Sequence, residues 1–287
     1  MELLLNAGAD LGEGPAWDAR RGVLYWVDIH LGCLHTFDLA SGHDSCQEIG
    51  EPIGCVAPTR QGHLLLALRS GIWTLHLLTG TRTLLAVPEH IPGNRFNDGK
   101  CDPAGRFLAG TMDDAEREAS GSLYSLSPDG HLQTLLTGLR ISNGLTWSPD
   151  YRLFYFIDTP TRLVMAYDYD LETGKIANPR PVIHVPEALG WPDGMTSDRE
   201  GMLWIALWGG AAVTRWNPAS GQMLASYLVP ALNVTSCIFG GPTLSDLYIT
   251  SARHGMNPAE LERYPLSGGL FRLQTDTQGL PTFEFAD

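Results

Sequence analysis

Short apolar runs of four to seven residues recur along the whole chain, each ending on a cluster of Gly, Asp, Asn, Ser or Pro. The runs are rich in Tyr, Trp, Phe, Val and Ile and none carries a sustained helical period, so they predict strands. Six segments share one form, in which a turn leads into an apolar strand, a short gap and a second strand closing on a polar turn. They are GVLYWVDIHLGCLHTFDLASG, GHLLLALRSGIWTLHLLTG, GRFLAGTMDD with GSLYSLSPDG, RLFYFIDTPTRLVMAYDYDLETG, GMLWIALWGGAAVTRWNPASG, and DLYITSARHG with GGLFRLQTDTQG. Their first strand residues, Leu24, Leu64, Phe107, Leu153, Leu203 and Leu247, follow one another at intervals of 40 to 50 residues. Several short strands repeated at this period predict a propeller blade per repeat. Six repeats predict an all-β, six-bladed β-propeller, with residues 1–287 forming a single domain. A β-sandwich does not repeat at this interval. Ring closure needs a terminal strand to join the blade at the other end. MELLLNA and PTFEFAD are the two candidates, and the first is expected to complete the last blade.

The polar residues become informative once this repeat is imposed. About ten residues before each anchor lies the start of the preceding strand, expected to be the innermost of its blade. Those positions read Glu13, Gly54, Asn97, Asn143, Asp193 and Cys237. Inner strands start at one end of the ring, so Glu13, Asn97, Asn143 and Asp193 are expected to converge on the channel mouth although far apart in sequence. Each has a Gly one or two residues later, where the backbone can pass closely or turn unusually. Asn-Gly and Asp-Gly are also ordinary turn dipeptides, but four such positions in register around a ring point to a shared task. Two carboxylates and two amide oxygens are hard ligands suited to Ca²⁺, Mg²⁺ or Mn²⁺, with Zn²⁺ as an opportunist. So few protein ligands leave open positions, as in catalytic rather than structural metal sites.

Composition narrows the classes. Hydrophobic residues make up 44% of the chain and charged residues 18%, which favours an ordered chain with a full core. The net charge of −13, with no basic run, argues against nucleic acid and anionic membranes as partners. No stretch approaches the roughly 18 apolar residues of a membrane span, and the acidic start with its short apolar run does not read as a signal peptide. Five widely spaced cysteines without CxxC fit a reduced, cytoplasmic protein with buried thiols, one internal disulfide remaining open. GxSxG, HExxH and GxxxxGK[ST] are absent, which removes support for serine-hydrolase, zincin and P-loop chemistry. DYDLETGK at Asp168 departs from a Ca²⁺ loop in its Gly position and lacks the closing Glu, so it reads as a blade turn. Trp208, in LWIALWGG, is placed in blade core or at the mouth.

LGEGPAWD with LYWVDI, IGCVAPT, NRFNDGKCDPAGRFLAGTM, SGSLYSL, ISNGLTWSPD, WPDGMTSDREGMLWIALWGG and YPLSGGLF span almost the whole chain. Together they resemble the SMP-30/gluconolactonase/luciferin-regenerating family of six-bladed propellers. The resemblance implies one divalent metal ion (Ca²⁺, Zn²⁺, Mn²⁺, Mg²⁺ or Fe²⁺) held by Glu13, Asn143 and Asp193. It implies substrate contacts from Arg95 and Asn97, and it makes Asp113 and Asp114 candidates for sugar hydroxyls. The implied activity is hydrolysis of a sugar-derived lactone, with Asp193 also handling the proton. The expected partner is a small-molecule sugar lactone, and the expected state is a monomer or weak homo-oligomer. Two other readings stay open: a hydrolase of other esters or organophosphates, which an aromatic mouth would favour, and a non-catalytic calcium-binding propeller, which a plugged or apolar mouth would favour.

Overall fold

The structure, a computed structural model, describes all residues 1–287. Six four-stranded antiparallel sheets stand in a ring, so the six-bladed propeller expected from the repeat is the observed fold. Blades 1 to 5 each take four consecutive strands, beginning with the inner strands Gly12–Asp18, Ile53–Pro58, Asn94–Cys101, Ser142–Trp147 and Trp191–Ser197. Blade 6 runs outward from Asn233–Gly240 and is completed at its rim by the N-terminal strand Glu2–Leu5, antiparallel to Leu270–Gln274. MELLLNA therefore closes the ring as expected. PTFEFAD does not enter a blade. The C-terminal tail crosses the far end of the channel, bonding Ser197 through the Leu280 amide, Pro58 through Phe285 and Gly105 through Ala286.

Side-chain alternation explains why the strands read as unbroken apolar runs. Tyr25 and Val27 pack into the seam towards blade 2, whereas Leu24 and Trp26, one residue out of phase, pack into the seam towards blade 6. Leu64, Leu66 and Leu68 join the first seam, and Leu65 and Ala67 the next. Each of the six apolar clusters is built mainly from two neighbouring blades, so the core is distributed as six interblade seams. Burial falls outward. The inner strand of blade 1 is buried throughout, while its rim strand Asp44–Glu48 is mostly exposed and polar, which suits an unpaired edge.

One irregularity sets up the site. Every inner strand shifts register against its neighbour close to the same end: after Glu13, Ile53, Phe96, Asn143, Pro192 and Val234. An extra residue at such a bulge re-aims the side chains beside it. The bulge also corrects one expected position. Cys237 pairs with Ile249 beyond the bulge of blade 6 and is buried in the seam with blade 5, its thiol against the Trp204 carbonyl. Thr235, in the bulge, holds the position that corresponds to Asn97 and Asp193. Of the five cysteines, for which buried thiols were expected with one internal disulfide left open, Cys55, Cys101 and Cys237 are free and buried. Cys33 and Cys46 form that one disulfide, because they lie on neighbouring strands of blade 1 with Cα atoms 5.8 Å apart.

Candidate metal and substrate site

The bulged ends of the inner strands open into a cavity of about 820 Å³ at the channel mouth. Its wall contains Glu13, Arg95, Asn97, Asn143 and Asp193, so all five residues singled out in the sequence are brought together. Trp208 reaches this wall as well, beside its cross-strand partner Trp191. The far end of the channel holds a much smaller cavity of about 40 Å³, lined by Asp98, Lys100 and the tail residues Leu280 to Phe283.

Glu13, Asn143 and Asp193 come from blades 1, 4 and 5 respectively, and all are buried. One Glu13 oxygen accepts from the Gly14 amide at 2.7 Å. Asn143 donates to the Thr159 hydroxyl at 3.2 Å, and that hydroxyl donates to the Pro192 carbonyl. Asp193 Oδ1 is buried without a hydrogen-bond partner. Burial, followed by the nearby charges of Asp193 and Asp98, pushes the Glu13 carboxyl well above its usual range. Burial and then Asp98 do the same to Asp193, partly offset by the Asn143 amide. Burial also raises Asp98, against the pull of Lys100. Carboxylates crowded and desolvated in this way, with an orphaned oxygen on both Asp193 and Asp98, fit a divalent cation, whose charge relieves the mutual repulsion. The all-oxygen donor set suits a hard ion.

Arg95 is fixed from three sides. Its Nε donates to Asp114 at 2.7 Å, and its Nη1 donates to Asn97 Oδ1 at 2.7 Å and to the Phe96 carbonyl at 3.1 Å. Asn97 in turn donates to the Ser142 carbonyl at 3.0 Å. Nη2 makes no bond within the protein. Asp114 lines the cavity, but one oxygen accepts from Arg95 and the other from Arg69, so it acts by holding the guanidinium. Although partial burial pulls it upward, these two arginines hold Asp114 below its usual carboxylate value. Asp113 serves the loop, accepting from the Ala115, Arg117 and Glu118 amides. The pair expected to meet sugar hydroxyls is thus committed to protein contacts in this structure.

Several wall residues carried no signal in the sequence. Thr159, Glu116, Arg140, His30 and His254 sit in connections between strands, where no repeat marks them. Asp98 escaped because strict alternation allows only one of two adjacent residues to face the axis, whereas the bulge after Phe96 brings Asn97 to the mouth and Asp98 to the channel below. The adjacency of Asn97 and Asp98 ahead of a Gly was the available signal.

Residues 11–253 match the model of the SMP-30/Gluconolactonase/LRE-like region. The chain belongs to this family. It is 39% identical to a Bacillus subtilis protein named as a sugar lactone lactonase, YvrE, over all of this chain and 99% of that one. It is also 39% identical to chicken (Gallus gallus) regucalcin, covering 96% and 95% of the two chains. The crystal structure of a regucalcin from Agrobacterium tumefaciens, described as a calcium-binding protein, superposes with a TM-score of 0.95 at 31% identity over 99% of this chain and 96% of that one. The family thus includes proteins named for lactone hydrolysis and others named for calcium. No helix in the structure is long and apolar enough to cross a membrane.

Proposed function

We propose that this propeller, acting as one domain, is a metal-dependent lactonase that opens a sugar-derived lactone to its aldonic acid. The observation that carries the reading is Asp193: buried, unpartnered at Oδ1, beside Glu13, and on the same cavity wall as Arg95 and Asn97. Glu13, Asn143 and Asp193 would hold a divalent cation, which supplies Lewis-acid polarisation of the lactone carbonyl. Arg95 and Asn97 orient the ring, with Arg95 Nη2 free to donate to a substrate oxygen. Asp193 takes a proton from the attacking water as the new C–O bond forms, and returns it to the ring oxygen as the acyl C–O bond breaks. No covalent nucleophile is required, since a lactone is already an activated ester. The sugar-binding donors, the acidic wall and the similarity to YvrE support a neutral polyol substrate.

The test is a panel of glucono-, galactono-, arabinono- and xylono-lactones assayed with Ca²⁺, Zn²⁺, Mn²⁺, Mg²⁺ and Fe²⁺. Turnover that needs one of these ions and disappears in Asp193→Asn supports the reading, and absence of turnover throughout removes it. A second reading has one observation in its favour. Trp191 and Trp208, cross-strand neighbours, both line the wall, which would suit less polar esters, so aryl esters and organophosphates belong in the same panel. Ion binding with no hydrolysis of any kind would leave a calcium-binding propeller like the regucalcins.

A further inference from the structure

A second group of metal-ligating side chains lies at the mouth, apart from the oxygen-rich site. Asp10 precedes the inner strand of blade 1, His30 sits in that blade's next turn, and His254 follows the second strand of blade 6. The first and last blades meet here, where Leu11 and Ala252 form a bridge across the closure of the ring. Asp10 Oδ2 faces both imidazoles, 2.7 Å from His30 Nδ1 and 3.4 Å from His254 Nδ1. The two rings stand edge to face with centroids 4.5 Å apart, and all three ligand atoms lie within 4.8 Å of one another.

The backbone holds this arrangement in place. The Asp10 amide donates to Asp28 at 2.8 Å, and the Asp10 carbonyl accepts from the amides of Arg253 and His254 at 3.0 and 2.8 Å. The Asp10–His30 contact is a hydrogen bond, whereas His254 Nδ1 stands 3.4 Å from the same carboxylate oxygen without making one. Ligands about 2.05 Å from a tetrahedral ion are separated by about 3.3 Å, and the observed 2.7 and 3.4 Å bracket that value. The three side chains are partly exposed, so an ion can reach them and retains open positions.

We infer that Asp10, His30 and His254 form a second divalent-cation site, selective for a late first-row ion such as Zn²⁺, Co²⁺ or Ni²⁺. Two imidazoles and one carboxylate prefer these ions, whereas the oxygen-only set of Glu13, Asn143 and Asp193 accepts Ca²⁺ or Mg²⁺. An ion here clips the first blade to the last. It also sets a cation on the cavity wall, since His30 and His254 both line it, where a carboxylate or hydroxyl of a bound molecule can complete its coordination. The inference does not depend on lactone hydrolysis, and its readout is binding alone.

The probe is Co²⁺, titrated into the full-length protein held in excess Ca²⁺ so that the oxygen-rich site is occupied. Wild type should take up one further equivalent, with the visible absorption of a low-coordinate Co²⁺–imidazole centre. His30→Ala and His254→Ala should each bind at least about tenfold more weakly, while Asp193→Asn should retain the absorption. Crystals of the wild-type protein soaked in Co²⁺ should show an anomalous peak among the three side chains, a measurement that does not rely on any variant folding. No Co²⁺ uptake by Ca²⁺-loaded wild type, no anomalous peak at this position, or unchanged affinity in folded His30→Ala or His254→Ala would each overturn the site.

Discussion

Arg95→Ala gives the sharpest test of the division between holding a substrate and activating it. The guanidinium is spent on Asp114 through Nε and on Asn97 and Phe96 through Nη1, which leaves Nη2 for a ligand. Removing it deletes one charged hydrogen bond to substrate, about 1.5–3 kcal/mol, or roughly ten- to a hundredfold in kcat/KM. It also frees Asn97 Oδ1, so the loss should lie towards the upper end. Cation affinity should not fall. Arg95 is one of the influences that lower the Glu13 carboxyl, and deleting a positive charge near the oxygen ligands leaves them at least as attractive to a cation. Asp114→Ala should weaken kcat/KM by about tenfold or less. Asp114 is about one-third exposed, so the ion pair is partly screened. Because Asp114 acts through Arg95, the double variant should be no worse than Arg95→Ala alone, which gives a strongly non-additive cycle. The assay is lactone hydrolysis at saturating cation, with calorimetric Ca²⁺ titration of each variant. Additive losses, or an Arg95→Ala protein that no longer binds the cation, would refute the reasoning.

Three further predictions follow from the same geometry. Asp193→Asn should lose far more in kcat than Arg95→Ala even where saturating metal restores occupancy, because an amide cannot accept the water's proton; wild-type kcat at full occupancy would refute the proton role. Burial raises Glu13 and Asp193 above their usual carboxylate values, so the cation-free folded state holds protons that the unfolded chain has released. Its stability should therefore decline as pH rises from about 4 through the raised values, and cation affinity should climb over the same window as those protons are displaced; Ca²⁺ titrations between about pH 5 and pH 8 with no change in affinity or proton release would count against it. A Cβ on Gly144 would sit 2.5 Å from the Asp193 carbonyl oxygen, so Gly144→Ala should cost about 1–3 kcal/mol in thermal or urea unfolding and weaken Ca²⁺ binding, whereas a variant with wild-type stability and affinity would show that this approach is not tight.

The repeat was legible because the two inner strands of each blade are buried on both faces. Leu24, Tyr25, Trp26 and Val27 alternate between two seams, and both seams demand apolar residues. The same symmetry exposed Glu13, Asn143 and Asp193, since a polar residue at a fixed place in a buried strand stands out against its neighbours. Counting back from the anchors failed only in blade 6, where Cys237 was taken in place of Thr235, because a bulge leaves no mark in the hydrophobic pattern. Asp113 and Asp114 were harder to read for a different reason. Their sequence says only that they follow a strand, and which one meets Arg95 depends on how the loop folds over it. The His30–Asp10–His254 group was invisible for a third. Asp10 and His30 flank strands of blade 1 and His254 follows a strand of blade 6, and only closure of the ring brings His254 within reach of the other two.

A ring of near-identical blades builds an asymmetric site by separating position from chemistry. The six bulges mark equivalent places around the mouth. Blades 2 and 6 fill theirs with Gly54 and Thr235, which are not ion ligands here: Gly54 lets the blade 3 backbone approach to within 2.4 Å of where a Cβ would be, and Thr235 donates to the Gly12 carbonyl. Blade 3 contributes Asn97, locked to Arg95. That leaves blades 1, 4 and 5 for Glu13, Asn143 and Asp193. Blades 1 and 4 are diametrically opposed in a six-membered ring, so in the proposed site an ion shared by Glu13 and Asn143 would lie near the ring axis, with Asp193 closing one side. The other side, towards blade 3, would remain for the proposed substrate, and Arg95 and Asn97 stand there. The same placement lets one cation tie opposite blades across the channel, so its binding should report on the integrity of the whole ring as well as on the chemistry at the mouth.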